Sequence, residues 1–184
     1  MITFLLIVLG LAALVVLVAA FQPSQFRISR SAVIAAPASA VFGQVNDLAR
    51  WQAWSPWEKM DPAMKRTFSG PAAGRGAVYA WDGNRRIGSG RMTITESRPS
   101  SLVRLKLEFF KPMACTNEAE FSFTPEARGT AVTWTMSGSS TLTGKIFCLF
   151  MSMEKMVGGQ FEDGLANLRR TCEGQVNALE ASRR

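Results

Sequence analysis

Apolar positions along this chain fall into three regimes: an unbroken block, a series with period two, and a last stretch with period near 3.6. The block comes first. Ile2 to Phe21 carries no charge, and Thr3 is its only hydroxyl. A helix of that length extends about 30 Å, close to the hydrocarbon thickness of a bilayer. A core helix of a soluble protein shows a polar face, and this run has none. Val18-x-Ala20 resembles a signal-peptide cleavage site, yet Met1 leads straight into apolar residues with no basic segment. The expectation is an uncleaved anchor over residues 1–22. Arg27 and Arg30 follow the span with no nearby acid, which predicts a single-pass membrane protein whose domain is cytoplasmic.

After a short linker, Gln22 to Gln25, residues 26–35 read as a strand. Pro37 suits the first turn of a helix that puts Val41, Phe42, Val45 and Leu48 on one side. A loop carrying Trp51, Trp54, Pro56 and Trp57 follows. Period two then takes over. Met92 and Ile94 oppose Arg91, Thr93 and Thr95; Val103, Leu105, Leu107 and Phe109 oppose Arg104, Lys106 and Glu108. In 117–124, Ala119, Phe121 and Phe123 oppose Glu118, Glu120, Ser122 and Thr124. In 130–137, Val132, Trp134 and Met136 oppose Ala131, Thr133 and Thr135. These are antiparallel strands with one greasy and one wet face. Asp82-Gly83-Asn84 between the runs 76–81 and 88–97 reads as a hairpin turn, and Pro99-Ser100, Lys111-Pro112 and Arg128-Gly129 mark later reversals.

The tail changes period. Phe161, Leu165, Leu168, Cys172, Val176 and Leu179 fall on one face of an amphipathic helix of about five turns. A shorter helix rich in Met and Phe is expected over 143–157. The class is α+β, and the terminal helix is the large apolar surface left to cover the greasy sheet face.

This order resembles the START/Bet v 1-like superfamily, also called SRPBCC or polyketide cyclase-like, in its membrane-anchored bacterial form. The likeness is carried by the opening strand and helix start, Ser31 to Phe42 (SAVIAAPASAVF), by Trp81-Asp82-Gly83-Asn84, by Gly129 to Trp134 (GTAVTW), and by Gly158 through Leu165. It spans about residues 26–180, nearly everything outside the anchor, and the domain is set at 26–182. The resemblance implies a helix-grip fold: a curved antiparallel sheet wrapped around a long C-terminal helix, leaving a cavity for an apolar ligand. Relatives of this type include lipid carriers, hormone receptors, aromatase/cyclases and activators of a chaperone ATPase, so the fold leaves function open.

Within that frame the expected ligand-binding residues are Trp57, Trp81, Met92, Leu105, Leu107, Phe109, Asn117, Phe121, Trp134 and Phe161. Trp57 leads because Pro56 fixes its approach. Trp81 is second, although Val78/Ala80 and Tyr79/Trp81 could each be the inward pair. Asn117 is the clearest polar side chain at inward parity. Gly158, Gly159 and Gly164 either leave room for a guest or permit close packing. Met113, Met136, Met151, Met153 and Met156 offer adaptable apolar surface.

Charge and chemistry narrow the field. The chain has 184 residues, a net charge of +7 and no histidine, which excludes Ser-His-Asp and Cys-His nucleophiles, HExxH zinc sites and imidazole shuttles. No catalytic residue, metal or cofactor is assigned. The basic residues are dispersed, unlike a nucleic-acid reader's stripe. Cys115, Cys148 and Cys172 form no C-x-x-C pair and read as small buried hydrophobes. Gly74-x-Gly76, Gly88-x-Gly90 and Gly144-Lys145 lack the context of a phosphate loop. Glu58 and Asp61 read as solvated loop acids, and Tyr79, the only tyrosine, as a proton donor if inward. The expected function is membrane-tethered binding of a small hydrophobic ligand, lipid-like or aromatic. The rivals are a polyketide cyclase/dehydratase-like enzyme and a protein-interaction module docking through Trp51, Trp54 and Trp57, with its protein partner unknown.

Overall fold

The computed structural model describes residues 1–140, 144–146 and 153–182. Cys148, Met151 and residues 143 and 147–152 of the helix expected over 143–157 lie outside these, as do the side chains of Met153, Met156 and Leu179. The elements are α1 (Ile2–Phe21), β1 (Gln25–Ile34), α2 (Ala38–Asn46), two 3-10 turns (Leu48–Ala53 and Pro56–Lys59), β2 (Lys65–Ser69), β3 (Val78–Asp82), β4 (Ser89–Arg98), β5 (Leu102–Lys111), β6 (Cys115–Glu126), β7 (Gly129–Ser139) and α3 (Met153–Ala181). Helix α1 is exposed over nearly its whole length, Ala19 excepted, and is long and apolar enough to cross a bilayer.

One antiparallel sheet of seven strands runs β1-β7-β6-β5-β4-β3-β2. The six later strands, β2 to β7, form a meander in which each pairs with the next along the chain. β1 instead reaches the far edge and pairs with β7, from Gln25 opposite Ser139 to Ile34 opposite Thr130. Strand β2 escaped the sequence reading. Its five residues alternate only Arg66 and Phe68 against Lys65, Thr67 and Ser69, too little pattern to register.

The register settles which face each residue takes. Tyr79 stands opposite Met92 and Trp81 opposite Gly90, so Tyr79/Trp81 is the inward pair of β3. On the outer face the predicted wet positions form an ionic lattice. Arg104 pairs with Glu96, Glu118 and Glu120, and Glu108 takes both Arg91 and Lys106. Such exposed pairs contribute up to about 1 kcal/mol each, but like-charge contacts in any slipped register oppose the alternatives.

Helix α3 is longer than the periodicity indicated, 29 residues instead of about five turns, because its first turns carry polar and small residues that blur the apolar stripe. It presents Phe161, Leu165, Leu168 and Cys172 to the interior, all buried. Burial pushes the Cys172 thiol up to about 11, with Glu173 adding to the shift, so it stays protonated as a core group. Cys115 corrects the expectation of three buried cysteines: it sits exposed at the start of β6.

Candidate ligand groove

The inner face divides into two halves along the strands. In the half remote from α1, the space between sheet and helix is filled with aromatic rings. Trp134 of β7 stacks on Phe161 of α3 at 4.0 Å between centroids and 8° between planes. Phe121 also stacks on Trp134, at 4.6 Å, and Trp57, Trp54 and Trp51 close in on Trp134 edge-on at 5.6, 5.7 and 6.1 Å. Trp51 and Trp54 anchor this block by donating their indole N–H groups to the carbonyls of Val45 and Gln44, at 2.9 and 3.2 Å. The indole nitrogen of Trp134 is buried with no hydrogen-bond partner.

The glycines of α3 belong to this packing. A Cβ at Gly164 would stand 2.7 Å from the Trp134 ring, and one at Gly158 would stand 2.2 Å from the Arg30 guanidinium. Both permit close approach; neither leaves room for a guest. Gly159 has nothing within 4 Å of its Cβ position. Arg30 itself faces inward and bonds Glu162 at 2.6 Å and Glu154 at 2.7 Å, so one of the two arginines used to orient the anchor is neutralised inside the fold.

The half nearer α1 is different. Its inner positions are Phe26, Asn117, Leu107, Met92 and Tyr79 in one row and Phe109, Trp81 and Arg66 in the next, as the strand pairing dictates. Phe26, Trp81, Leu107 and Phe109 are only half-buried, whereas Ile34, Val103, Phe121 and Val132 in the other half are wholly enclosed. Asn117 is buried, and its carboxamide lies over the bare Cα of Gly138 without a hydrogen-bond partner.

Beside these rings sits a polar trio. The Tyr79 hydroxyl donates to Glu58 Oε1 at 2.6 Å, and Arg66 Nε donates to Glu58 Oε2 at 2.8 Å. Glu58 is 7% exposed, which corrects its reading as a solvated loop acid: the Pro56–Lys59 turn aims it at β2 and β3, where Arg66 and Tyr79 supply donors. Burial first, then the hydrogen bond to Glu58 and its negative charge, push the Tyr79 phenol far above its ordinary value. Asp61 caps the neighbouring turn by accepting from the Asn84 N–H at 2.7 Å.

The predicted residues therefore separate. Trp81, Met92, Leu107, Phe109 and Asn117 come together in the half near α1, Leu105, Phe121, Trp134 and Phe161 form the packed floor, and Trp57 lies against that floor with part of its surface exposed. The Trp51–Trp54–Trp57 docking patch is corrected, since Trp51 and Trp54 are core residues and Trp57 packs on Trp134 and Phe161. Phe26, Arg66 and the buried role of Glu58 were missed; the inward parity of Phe26 was readable from Ile28, but Arg66 needed the pairing of β2. A depression of about 740 Å³ lies on the outer face amid the Arg104–Glu118 lattice, and of the predicted residues only Asn117 borders it. The described residues hold no cluster of acids and thiols suited to a metal.

Solved structures share this architecture at low sequence identity. A Chromobacterium violaceum protein, CV1439, superposes with a TM-score of 0.58 at 14% identity, over 83% of this chain and 99% of its own. A Thermobifida fusca protein gives 0.60 at 21% identity, over 79% and 91%. The two-domain aromatase/cyclase StfQ of the steffimycin biosynthetic pathway gives 0.60 at 10% identity, over 83% of this chain and 52% of that one. No curated protein matches the sequence. These likenesses establish a helix-grip fold. The sequence profile of one family, described as polyketide cyclase / dehydrase and lipid transport, matches residues 25–173, from the first strand deep into α3, and the chain belongs to that family.

Proposed function

We propose that the protein holds a small hydrophobic ligand in the half of the groove near α1, while α1 anchors it to a membrane with the domain in the cytoplasm. The observation that carries this reading is the contrast in burial: Trp81, Leu107 and Phe109 keep exposed apolar surface on a sheet face that is otherwise filled. An apolar guest covers that surface and gains roughly 25 cal/mol per Å² removed from water. Asn117 and the Tyr79–Glu58–Arg66 trio supply the few polar groups that orient a ligand in an apolar site. The family's description pairs cyclase/dehydrase chemistry with lipid transport, and both handle small, largely apolar molecules.

The test is native mass spectrometry of the full chain gently extracted from membranes. A bound apolar molecule is expected, and Leu107→Ala together with Phe109→Ala should release it. A chain that stays empty in every preparation sinks the proposal.

An enzymatic reading has one observation in its favour, the short Tyr79–Glu58 hydrogen bond beside the groove. Product formed from a panel of poly-ketone substrates and lost in Tyr79→Phe is the result that would carry it.

A further inference from the structure

Five parts of the domain share the end of the sheet where α1 enters. The pairings Gln25–Ser139, Asn117–Gly138, Phe109–Cys115, Ser89–Lys111 and Lys65–Asp82 align the start of β1, the end of β7, the β5–β6 turn, the β3–β4 turn and the start of β2 along that one end, from the β1 edge to the β2 edge. The two turns touch: a Cβ at Gly88 would stand 2.1 Å from the Lys111 carbonyl, and Gly88 has a φ of +68°.

The link to α1 is short. The helix ends at Phe21 and β1 begins at Gln25, so the intervening residues reach about 10 Å even when extended. Ser24 is already held to the domain, accepting from Ser140 N at 2.9 Å through its carbonyl and from Lys145 Nζ at 3.0 Å through its hydroxyl. If α1 spans a bilayer, the β1 corner of this end stays within about one Debye length of the headgroups, and a domain standing on this end sets the other turns on the same surface.

The surface presented there is basic and greasy. Arg85, Arg86, Lys65 and Lys111 are exposed, and none of them lies in an ion pair. The acids nearby are Asp82, Asp61 and Glu108; Asp61 is occupied by backbone N–H groups and Glu108 by Arg91 and Lys106. Beyond α1, the described large hydrophobics that stand exposed are Val33, Phe68, Phe110 and Met113; the two most exposed, Phe110 at 52% and Met113 at 50%, flank the β5–β6 turn. The Arg91 guanidinium sits 6.0 Å above the Phe110 ring.

We infer that this end of the domain lies on an anionic bilayer surface, with Phe110 and Met113 in the interface and the four cations among the headgroups. The inference rests on the anchor reading above and adds a second, peripheral contact. It also turns the half-buried part of the groove, which opens at the same end, toward the lipid.

Full-length protein is placed in nanodiscs of phosphatidylcholine alone and of phosphatidylcholine mixed with phosphatidylserine, and amide hydrogen exchange is followed. Residues 83–88 and 110–114 should exchange about tenfold more slowly in the anionic discs, an effect removed by high salt and by R85E/R86E. The remote turns, 70–76 and 99–101, should not respond. Equal exchange in both discs, or protection confined to the remote turns, overturns the docking surface. Flotation of the same chain with neutral phosphatidylcholine vesicles separates the two ideas. A chain that fails to float overturns the anchor and the docking together, whereas one that floats without protected turns overturns the docking alone.

Discussion

The two halves of the inner sheet face use the same alternation and the same residue types, yet one is solid and the other is not. In the remote half, Trp51, Trp54, Phe121, Trp134 and Phe161 interlock, and Gly158 and Gly164 let α3 approach until nothing else fits. In the half near α1, Phe26, Trp81, Leu107 and Phe109 line up with equal regularity but lack a facing layer of rings among the described residues. Apolar patterning thus specifies a face. Whether that face becomes core or binding surface depends on what the opposing element brings to it.

Substitutions can break this contrast. The largest effect is expected from Phe161→Ala, which removes a side chain 1% exposed and stacked on Trp134; chemical denaturation should show a loss of about 3–5 kcal/mol. Next come the helix glycines. Gly164→Ala forces a methyl group against the Trp134 ring and should cost about 1–3 kcal/mol, while Gly159→Ala meets open space and should gain up to about 1 kcal/mol. Equal effects at the two glycines would show that the remote half is not tightly packed. In the other half, Leu107→Ala should lower stability by only about 1 kcal/mol, because part of the side chain is already in water, but should deplete the bound ligand seen by mass spectrometry.

The smallest effect is spectroscopic. Tyr79 is the only tyrosine, so its phenolate absorbance can be read without overlap from another tyrosine. At pH 11 a free tyrosine is about nine-tenths ionised. Here the phenol's pKa is raised by burial and by Glu58, so the folded protein should show little phenolate at that pH. A raised value means that the stabilisation is complete below the unfolded pKa, near 10, and is lost as pH climbs through the folded value. Alkali, not acid, should therefore loosen this corner. Glu58→Gln should move the midpoint downward, and an unchanged titration would detach Tyr79 from Glu58.

The strands from β4 to β7 were legible because each carries two to four inward apolar residues opposed mainly by charged or hydroxylated ones, and a period-two signal of that strength has one reading. β2 was not, being short and mostly polar. What was legible is membership of a face: Trp81, Met92, Leu107, Phe109 and Asn117 share one inner region of the sheet. Its division from Leu105, Phe121, Trp134 and Phe161 was invisible, since depth within a groove leaves no period in the chain. Arg30 and Glu58 failed for a related cause. A charged residue reads as solvated until a partner is seen, and their partners stand 132 and 8 positions away.

By itself the amino-acid order determined the apolar first helix, the run of hairpins, the covering terminal helix and the absence of imidazole chemistry, because these follow from local periodicity, turn residues and composition. Only the tertiary structure decided which apolar residues are sealed, which acid is buried, and that Arg85, Arg86, Lys65 and Lys111 share the end of the sheet from which α1 leaves. Those outcomes depend on contacts between segments remote in sequence, and distance in space between such segments is set by pairing register and helix docking.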